Sequence, residues 1–376
     1  MDCVYLNNAA TSWPKAPGVA EAVHATLATQ PSHPGRANSL ETDVVTRCRR
    51  ALADLLGIAD PSRIILTLNA TQALNIAIAG VDLARGAHAV ATVTEHNSVL
   101  RPLRHLAADR GVRLSLAGID ETGAVDRDEW RRALELAPRL AVLNHASNVT
   151  GDVQDAASLL GEARAAGAVT LLDASQSLGH GEFRAADLPA DLIAFAGHKG
   201  LLGPAGTGGL YVRPGLDLKP LFVGGTGIRS DLPLQPPDMP LRLEAGTPNV
   251  PGLAGLAAAA EWLRHGGEAH REQEQRLALR LRAGLAEIPG VRVFGGRGLA
   301  RSGTVSFRIR GWTVEEAGYA LQQSFGIACR TGLHCAPLIH QAIGSQPEGT
   351  VRFSVSGFNT DDEIAAAVAA VGRLAA

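Results

Sequence analysis

Short apolar runs near residues 63 to 67, 89 to 95, 140 to 145, 169 to 173, 192 to 196 and 208 to 212 alternate with stretches of helical period at about 71 to 80, 98 to 110, 127 to 137 and 155 to 166. The first set predicts buried strands, the second amphipathic helices. Such alternation specifies an α/β fold with a mainly parallel sheet and helices on both faces. From Val223 to Pro251 the chain is rich in Gly and Pro and keeps no period, which predicts a long functional loop carrying Gly224-Gly-Thr226-Gly and Thr247. Helical pattern resumes at about 252 to 265 and 268 to 288, with a break expected at Gly266-Gly267. Strand and helix then alternate again, and the spellings Thr313-Val-Glu-Glu316 and Thr360-Asp-Asp-Glu363 open two helices as capping boxes. The expected division is an N-terminal arm over 1–15, a large domain over 16–254 and a smaller α/β C-terminal domain over 255–376.

Strand ends are where function collects in sheets of this class, and here each delivers a polar group. Leu192-Ile193-Ala194-Phe195 leads into Gly197-His198-Lys199-Gly200 and then the tight-loop run Gly203-Pro204-Ala205-Gly206-Thr207-Gly208-Gly209. Lys199 is one of three lysines, with Lys15 and Lys219, in a chain full of arginine. Arginine serves wherever charge alone is wanted, but only a desolvated lysine amine joins an aldehyde covalently. Lys199 is therefore either a covalent catalytic residue or a surface lysine of no special role. Val169-Thr-Leu-Leu172 ends in Asp173-Ala174-Ser175-Gln176. Asp173 is either a helix N-cap or the partner of a protonated ring nitrogen, which pyridoxal phosphate requires of a buried Asp near its lysine.

The strand Arg63-Ile-Ile-Leu-Thr67 turns through Leu68, Asn69, Ala70 and Thr71 into a helix. Free amides there, with the Thr71 hydroxyl, make an anion site; the same residues also spell an ordinary cap. Val90-Ala-Thr-Val93-Thr94-Glu95 ends at His96, which is either structural or stacked on a flat ring. Asn148 closes the series in Leu143-Asn-His-Ala-Ser-Asn148-Val-Thr-Gly151.

The ordered set Thr94-Glu-His96-Asn, Asn144-His-Ala-Ser-Asn148-Val, Asp173-Ala-Ser-Gln176, Gly197-His198-Lys199-Gly, Glu244-Ala-Gly-Thr247-Pro-Asn249 and Arg330-Thr-Gly-Leu-His334-Cys335-Ala-Pro337 resembles the class V aminotransferase group of fold-type I pyridoxal phosphate enzymes. Within that group the likeness is to cysteine desulfurases of the short-loop, group II kind, related to selenocysteine lyases. It runs from Tyr5-Leu-Asn-Asn-Ala-Ala-Thr11 to Val351-Arg352-Phe-Ser354. The resemblance implies a seven-stranded, mainly parallel sheet in the large domain and pyridoxal 5'-phosphate as cofactor. It implies that Lys199 holds the cofactor covalently, Asp173 pairs with its ring nitrogen, Gln176 donates to its phenolate oxygen and His96 stacks on the ring. Ala70, Thr71 and His198 hold the phosphate, and Thr247 reaches the phosphate of a second subunit, so a homodimer is expected. Arg352, helped by Asn148 and with Arg330 nearby, binds the substrate carboxylate. Cys335 is the nucleophile that accepts sulfur from L-cysteine as a persulfide while L-alanine leaves, and a sulfur-acceptor protein is an implied partner.

From its own sequence context, Cys335-Ala-Pro337 spells a helix start whose dipole favours a thiolate, and Arg330 and His334 add positive potential; the other reading is a small buried apolar residue. Two positions depart from the group. Ala196 stands where group II members usually carry a serine that contacts the phosphate, so another group or a water supplies that bond or it is lost. Leu333 stands where they usually carry a histidine. Another class V reaction, transamination or carbon-sulfur lysis, is the alternative, as is an inactive sulfur-relay partner.

Composition fits these expectations. A formal charge of -2 without a basic tract excludes nucleic-acid binding. The alanine-rich stretch from Leu253 to Ala260 is too short to cross a bilayer, and no charged-then-apolar leader opens the chain, so a cytoplasmic location is expected. Four cysteines, Cys3, Cys48, Cys329 and Cys335, show no CxxC spacing, and no metal site is expected. Cys329 reads as a core residue; His33, His105, His265 and His270 read as surface positions.

Overall fold

The computed structural model describes residues 3–29, 43–181, 184–296 and 302–376. In chain order it holds β1 (Val4–Tyr5), α1 (Val19–Ala28), α2 (Val44–Leu56), β2 (Ile64–Thr67), α3 (Ala70–Gly80), β3 (His88–Thr92), α4 (Asn97–Arg110), β4 (Arg113–Ala117), α5 (Arg127–Leu134), β5 (Leu140–Asn144), α6 (Ala156–Ala165), β6 (Val169–Asp173), β7 (Leu192–Ala196) and β8 (Gly208–Val212). A long helix, α7 (Val250–Ala286), leads to β9 (Val291–Val293), β10 (Thr304–Ile309), α8 (Val314–Phe325), β11 (Ile327–Ala328), β12 (Arg330–Gly332), α9 (Pro337–Ala342), β13 (Thr350–Ser354) and α10 (Asp361–Ala375).

The large sheet has seven strands in the order β2-β8-β7-β6-β5-β3-β4. Its pairs from β7 to β4 are parallel, and β8 runs antiparallel to both its neighbours. Residues of β5, β6, β7 and β8 are all buried, as strands covered on both faces must be. One face packs on Leu52 of α2, Trp130 of α5, Leu160 of α6 and Leu256 of α7; the other packs on Leu74 of α3 and Leu103 of α4. The apolar runs missed β4, because this edge strand alternates Arg113 and Ser115 with leucines and is buried fully only at Ala117. Helix α5 stops at Leu134, short of the expected 137. Pro138 follows Ala137, whose φ is 49°, and a residue before proline resists the helical conformation.

A second, antiparallel sheet, β12-β13-β10-β9, carries α8 and α10 on its core. Both predicted capping boxes form, at Thr313 with Glu316 and at Thr360 with Glu363. The N-terminal arm joins this unit, since β1 pairs in parallel with β11 and Asn7 bridges to Ser354.

Helix α7 runs unbroken through Gly266 and Gly267. A glycine inside a helix costs about 1 kcal/mol, and burial on both sides of the pair outweighs it. Leu263 packs in the large core and Leu277 in the small one, so the change of core falls inside this helix, beyond the 254/255 division expected from sequence. Gly267 is itself buried, and an added Cβ would come within 3.2 Å of Leu263. Past that point Glu274, 2 % exposed, lies 2.7 and 2.9 Å through its two oxygens from His180 Nδ1. The pair seals the seam behind the Lys199 turn: a Cβ on Gly200 would stand 2.7 Å from His180 Nε2 and 2.5 Å from the Leu178 carbonyl oxygen. His270 is a correction. Expected at the surface, it is 7 % exposed because its ring packs against Phe358 at 4.5 Å and Trp262 at 5.5 Å. His105 and His265 are exposed as expected, and His33 lies outside the described residues.

Candidate active site

The carboxyl ends of β2, β3, β5, β6 and β7 open on one cleft, because parallel strands deliver their exits to the same edge of the sheet. Eight of the predicted residues line it: Ala70, Thr71, His96, Asn148, Asp173, Gln176, His198 and Lys199. Asp173 ends β6 at 2 % exposure and accepts the Ser175 amide at 2.9 Å, and no ion pair reaches it among the described residues. Lys199 sits in the turn after β7. Burial pulls its amine down to about 8; Asp173 opposes the shift, while Arg352 and Arg330 reinforce it. More of the amine is then unprotonated at pH 7 than in a solvent-exposed lysine.

At the other end of the cleft Ala70 and Thr71 open α3, capped by the Asn69 side chain, whose Oδ1 accepts the Gln72 amide at 2.8 Å. Their amides point out of the first helical turn, with the macrodipole behind them. His96 caps α4, and burial, then Lys199, hold its pKa down to about 4. The His198 ring is likewise depressed to about 4 by burial. Its backbone oxygen accepts from the Ser12 amide, the Thr11 and Ser12 hydroxyls and Lys15 Nζ, which ties the N-terminal arm to the Lys199 turn. Gln176 donates one amide hydrogen to the Ala9 oxygen at 2.8 Å and keeps one.

The second sheet brings the remaining groups to this edge. Arg330 and Arg352 stand directly opposite each other on β12 and β13. Two like charges at such a pair repel, and neither has an ion-pair partner among the described residues. Arg352 is 1 % exposed, donates to the Asn148 oxygen at 2.9 Å, and leaves its Nε without an acceptor. Burial and Arg330 both push its pKa down from the arginine range, so the pair is short of an anion.

Cys335 is exposed, with Sγ 3.5 Å from Arg330 Nη2. It does not begin a helix. Helix α9 starts two residues later with only six residues, and Cys335 and His334 take φ of 60° and 49°, the left-handed region that non-glycine residues adopt at a cost of about 1 kcal/mol each. Two bonds hold this turn: Asn148 Nδ2 donates to the His334 oxygen at 2.7 Å, and the Asn97 amide to the Cys335 oxygen at 2.8 Å. Asn148 therefore spends one donor on the cysteine turn. Cys329 is partly buried, with its thiol driven up to about 12 by burial. Thr247 is exposed on the long loop and does not line the cleft. Glu244 anchors that loop, bound to Arg49 at 2.7 and 2.9 Å and to the Leu66 amide at 2.6 Å.

Sequence reasoning passed over Ser98, Asn144 and Ser175, which also line the cleft, and Glu95 beneath it. Their position within four residues of a predicted ligand was the available signal. Glu95 is fully buried; its Oε1 accepts from the Thr92 hydroxyl and the Asn144 amide, and burial, then Asp173, raise its pKa to about 8.

The donor set fits pyridoxal 5'-phosphate. Buried Asn144 Oδ1, Asn148 Oδ1, Ser175 Oγ and His198 Nδ1 have no partner among the described residues, although their residues surround the cleft. Buried polar atoms are ordinarily satisfied, so these await a polar ligand. An amine, a carboxylate and a helix N-terminus suit an aldehyde, a ring nitrogen and a phosphate respectively.

The family model described as aminotransferase class-V matches residues 4–366. The chain belongs to that family. It is 33% identical over 372 residues to a probable cysteine desulfurase of Methanothermobacter thermautotrophicus, covering 96% of this chain and 92% of the relative. An apo cysteine desulfurase structure from Thermococcus onnurineus NA1 superposes with TM-score 0.91 at 31% identity, covering 99% of this chain and 94% of that one. The cysteine desulfurase CsdA of Escherichia coli, solved in its S-sulfonic acid form, gives 0.88 at 30%, covering 99% and 94%. The family's cofactor is pyridoxal 5'-phosphate, its members are enzymes, and an amino acid is the substrate. The fold class expected from sequence is the one found.

Proposed function

We propose that this chain is a cysteine desulfurase that moves sulfur from L-cysteine onto Cys335 and releases L-alanine. One observation carries the site-level reading: an exposed cysteine on a strained, doubly tethered turn beside Arg330, at the edge where Lys199, Asp173 and Arg352 meet. The names of the relatives support the reaction.

Lys199 would hold the cofactor covalently, and its lowered pKa favours the neutral amine this needs. Asp173 would pair with the ring nitrogen, Gln176 would give its remaining amide hydrogen to the phenolate oxygen, His96 would cover the ring, and Ala70, Thr71 and His198 would hold the phosphate. When bound, pyridoxal 5'-phosphate supplies an electron sink that weakens bonds of the amino acid joined to it. Arg352, flanked by Arg330, takes the substrate carboxylate, which relieves the repulsion across β12 and β13. The Lys199 amine, once free, would be the base that takes the proton from the substrate's α-carbon. The Cys335 thiolate attacks the substrate sulfur: an S–S bond forms, the C–S bond breaks, and its electron pair leaves with carbon, which is then protonated. Arg330 Nη2 stands 3.5 Å from that sulfur, at the place where the new bond forms.

Among the described residues no helix is long and apolar enough to cross a membrane; we place the enzyme in the cytoplasm. We also propose a homodimer. Exposed Leu221, Phe222, Val223 and Leu234 share the loop region with Thr247, which then reaches the second subunit's phosphate. The exposed Cys335 suits delivery of its sulfur to an acceptor protein. The test is product analysis with L-cysteine and a thiol reductant. Alanine and sulfide in equal amounts, both lost in Cys335→Ala, are expected; pyruvate and ammonia, independent of Cys335, would move the chain to carbon-sulfur lysis.

A further inference from the structure

We infer that Ser98 is a positioning residue that couples the phosphate end of the cleft to the His96 ring, an inference that rests on the proposed phosphate seat at the start of α3. The Ser98 amide donates to His96 Nδ1 at 3.1 Å, and its hydroxyl lies 2.9 Å from the same nitrogen. An amide N–H can only donate, so Nδ1 keeps its lone pair and the neutral ring carries its proton on Nε2. The same hydroxyl lies 2.8 Å from Thr71 Oγ1. The pair thus spans the gap between α3 and α4 inside the cleft, while Ala196 on the same lining offers no hydroxyl.

Two hydroxyl protons face three acceptors: Nδ1, the other hydroxyl, and an anion at the first turn of α3. Without the anion, Thr71 donates to Ser98 and Ser98 to Nδ1. An anion that draws the Thr71 proton makes Ser98 the donor to Thr71 and leaves Nδ1 with the amide alone. Phosphate occupancy is thereby transmitted to the imidazole through one rotatable hydroxyl, and the Thr71 oxygen gains an incoming bond that strengthens its own donation.

The experiment titrates apoprotein with pyridoxal 5'-phosphate and separately with pyridoxal, reading dissociation constants by absorbance. Ser98→Ala is expected to weaken the phosphorylated ligand about tenfold, the weight of one hydrogen bond, and to leave pyridoxal within about twofold. Ser98→Thr, which keeps the hydroxyl, is expected to match the parent. If Ser98→Ala does not fold, Ser98→Cys, with a weaker donor, is expected to fall between the two. Thr71→Ala probes the seat itself: unchanged affinity there would place the phosphate elsewhere and remove the inference with it. If Thr71→Ala weakens binding but the Ser98 variants do not, or if they weaken both ligands equally, the coupling alone is overturned.

Discussion

The cleft and the seam behind it bury polar groups under opposite rules. In the cleft, Asn144, Asn148, Ser175 and His198 each keep an atom unpartnered among the described residues, and Arg330 faces Arg352 with no ion-pair partner for either among them. At the seam, both Glu274 oxygens and His180 Nδ1 are spent on each other, with only His180 Nε2 left against Gly200. A cluster of such atoms in one cleft suits a ligand that completes it, whereas the Glu274–His180 contact is made within the chain. What sets the cleft apart is that several unpartnered atoms gather around one opening, where the seam leaves a single one.

Substitutions that act on one region and spare the other break or sharpen this contrast. The largest expected effect is that of Lys199→Ala: desulfuration falls at least about a thousandfold and the covalent cofactor signal after borohydride reduction disappears. Apoprotein stability should not fall, because the Lys199 pKa is depressed in the folded state, so the charged amine opposes folding at neutral pH. A melting curve shifted well downward would count against the cleft reading.

Glu274→Ala inverts the pattern. Removing one partner of a buried pair is expected to cost about 3 kcal/mol or more, seen as a lower denaturant midpoint, while the cofactor remains covalently bound. Burial alone would lower the His180 pKa; its contacts to Glu274 overcome this and raise it. A raised histidine contributes stability that is complete below pH 6.5 and is lost as pH rises through its folded value. Parent stability should show that loss, and Glu274→Ala should not.

Asn148→Ala removes the donor to the His334 oxygen from the turn that holds Cys335. We expect about a tenfold loss of alanine formation with unchanged cofactor content; equal loss of both would make Asn148 a fold residue. The smallest effect is expected of Glu95→Gln. With a folded pKa near 8 this carboxyl stays protonated at neutral pH, and an amide replaces it with little change. The parent should lose stability as pH rises from about 4.5 toward 8, because the unfolded carboxyl ionises first, and the glutamine variant should lack that slope.

Much of this was legible in the chain. Alternating apolar runs and helical stretches specified the α/β class, and both capping boxes announced real helix starts. The strand-end polar residues converge because parallel strands share one exit edge. Edge strand β4 was hidden by its polar alternation, and α7 was split on paper because a glycine pair reads as a break when its packing is unseen.

What the sequence by itself determined was local: which face of most elements is apolar, and which polar residue stands where a buried strand runs out. Tertiary structure decided the rest. The β12–β13 register set Arg330 against Arg352, tethers from Asn97 and Asn148 fixed the Cys335 turn, and the crossing of α7 paired Glu274 with a histidine 94 positions away. Periodicity records how one segment meets solvent and core, but the register between distant segments follows only from the packing of the whole chain.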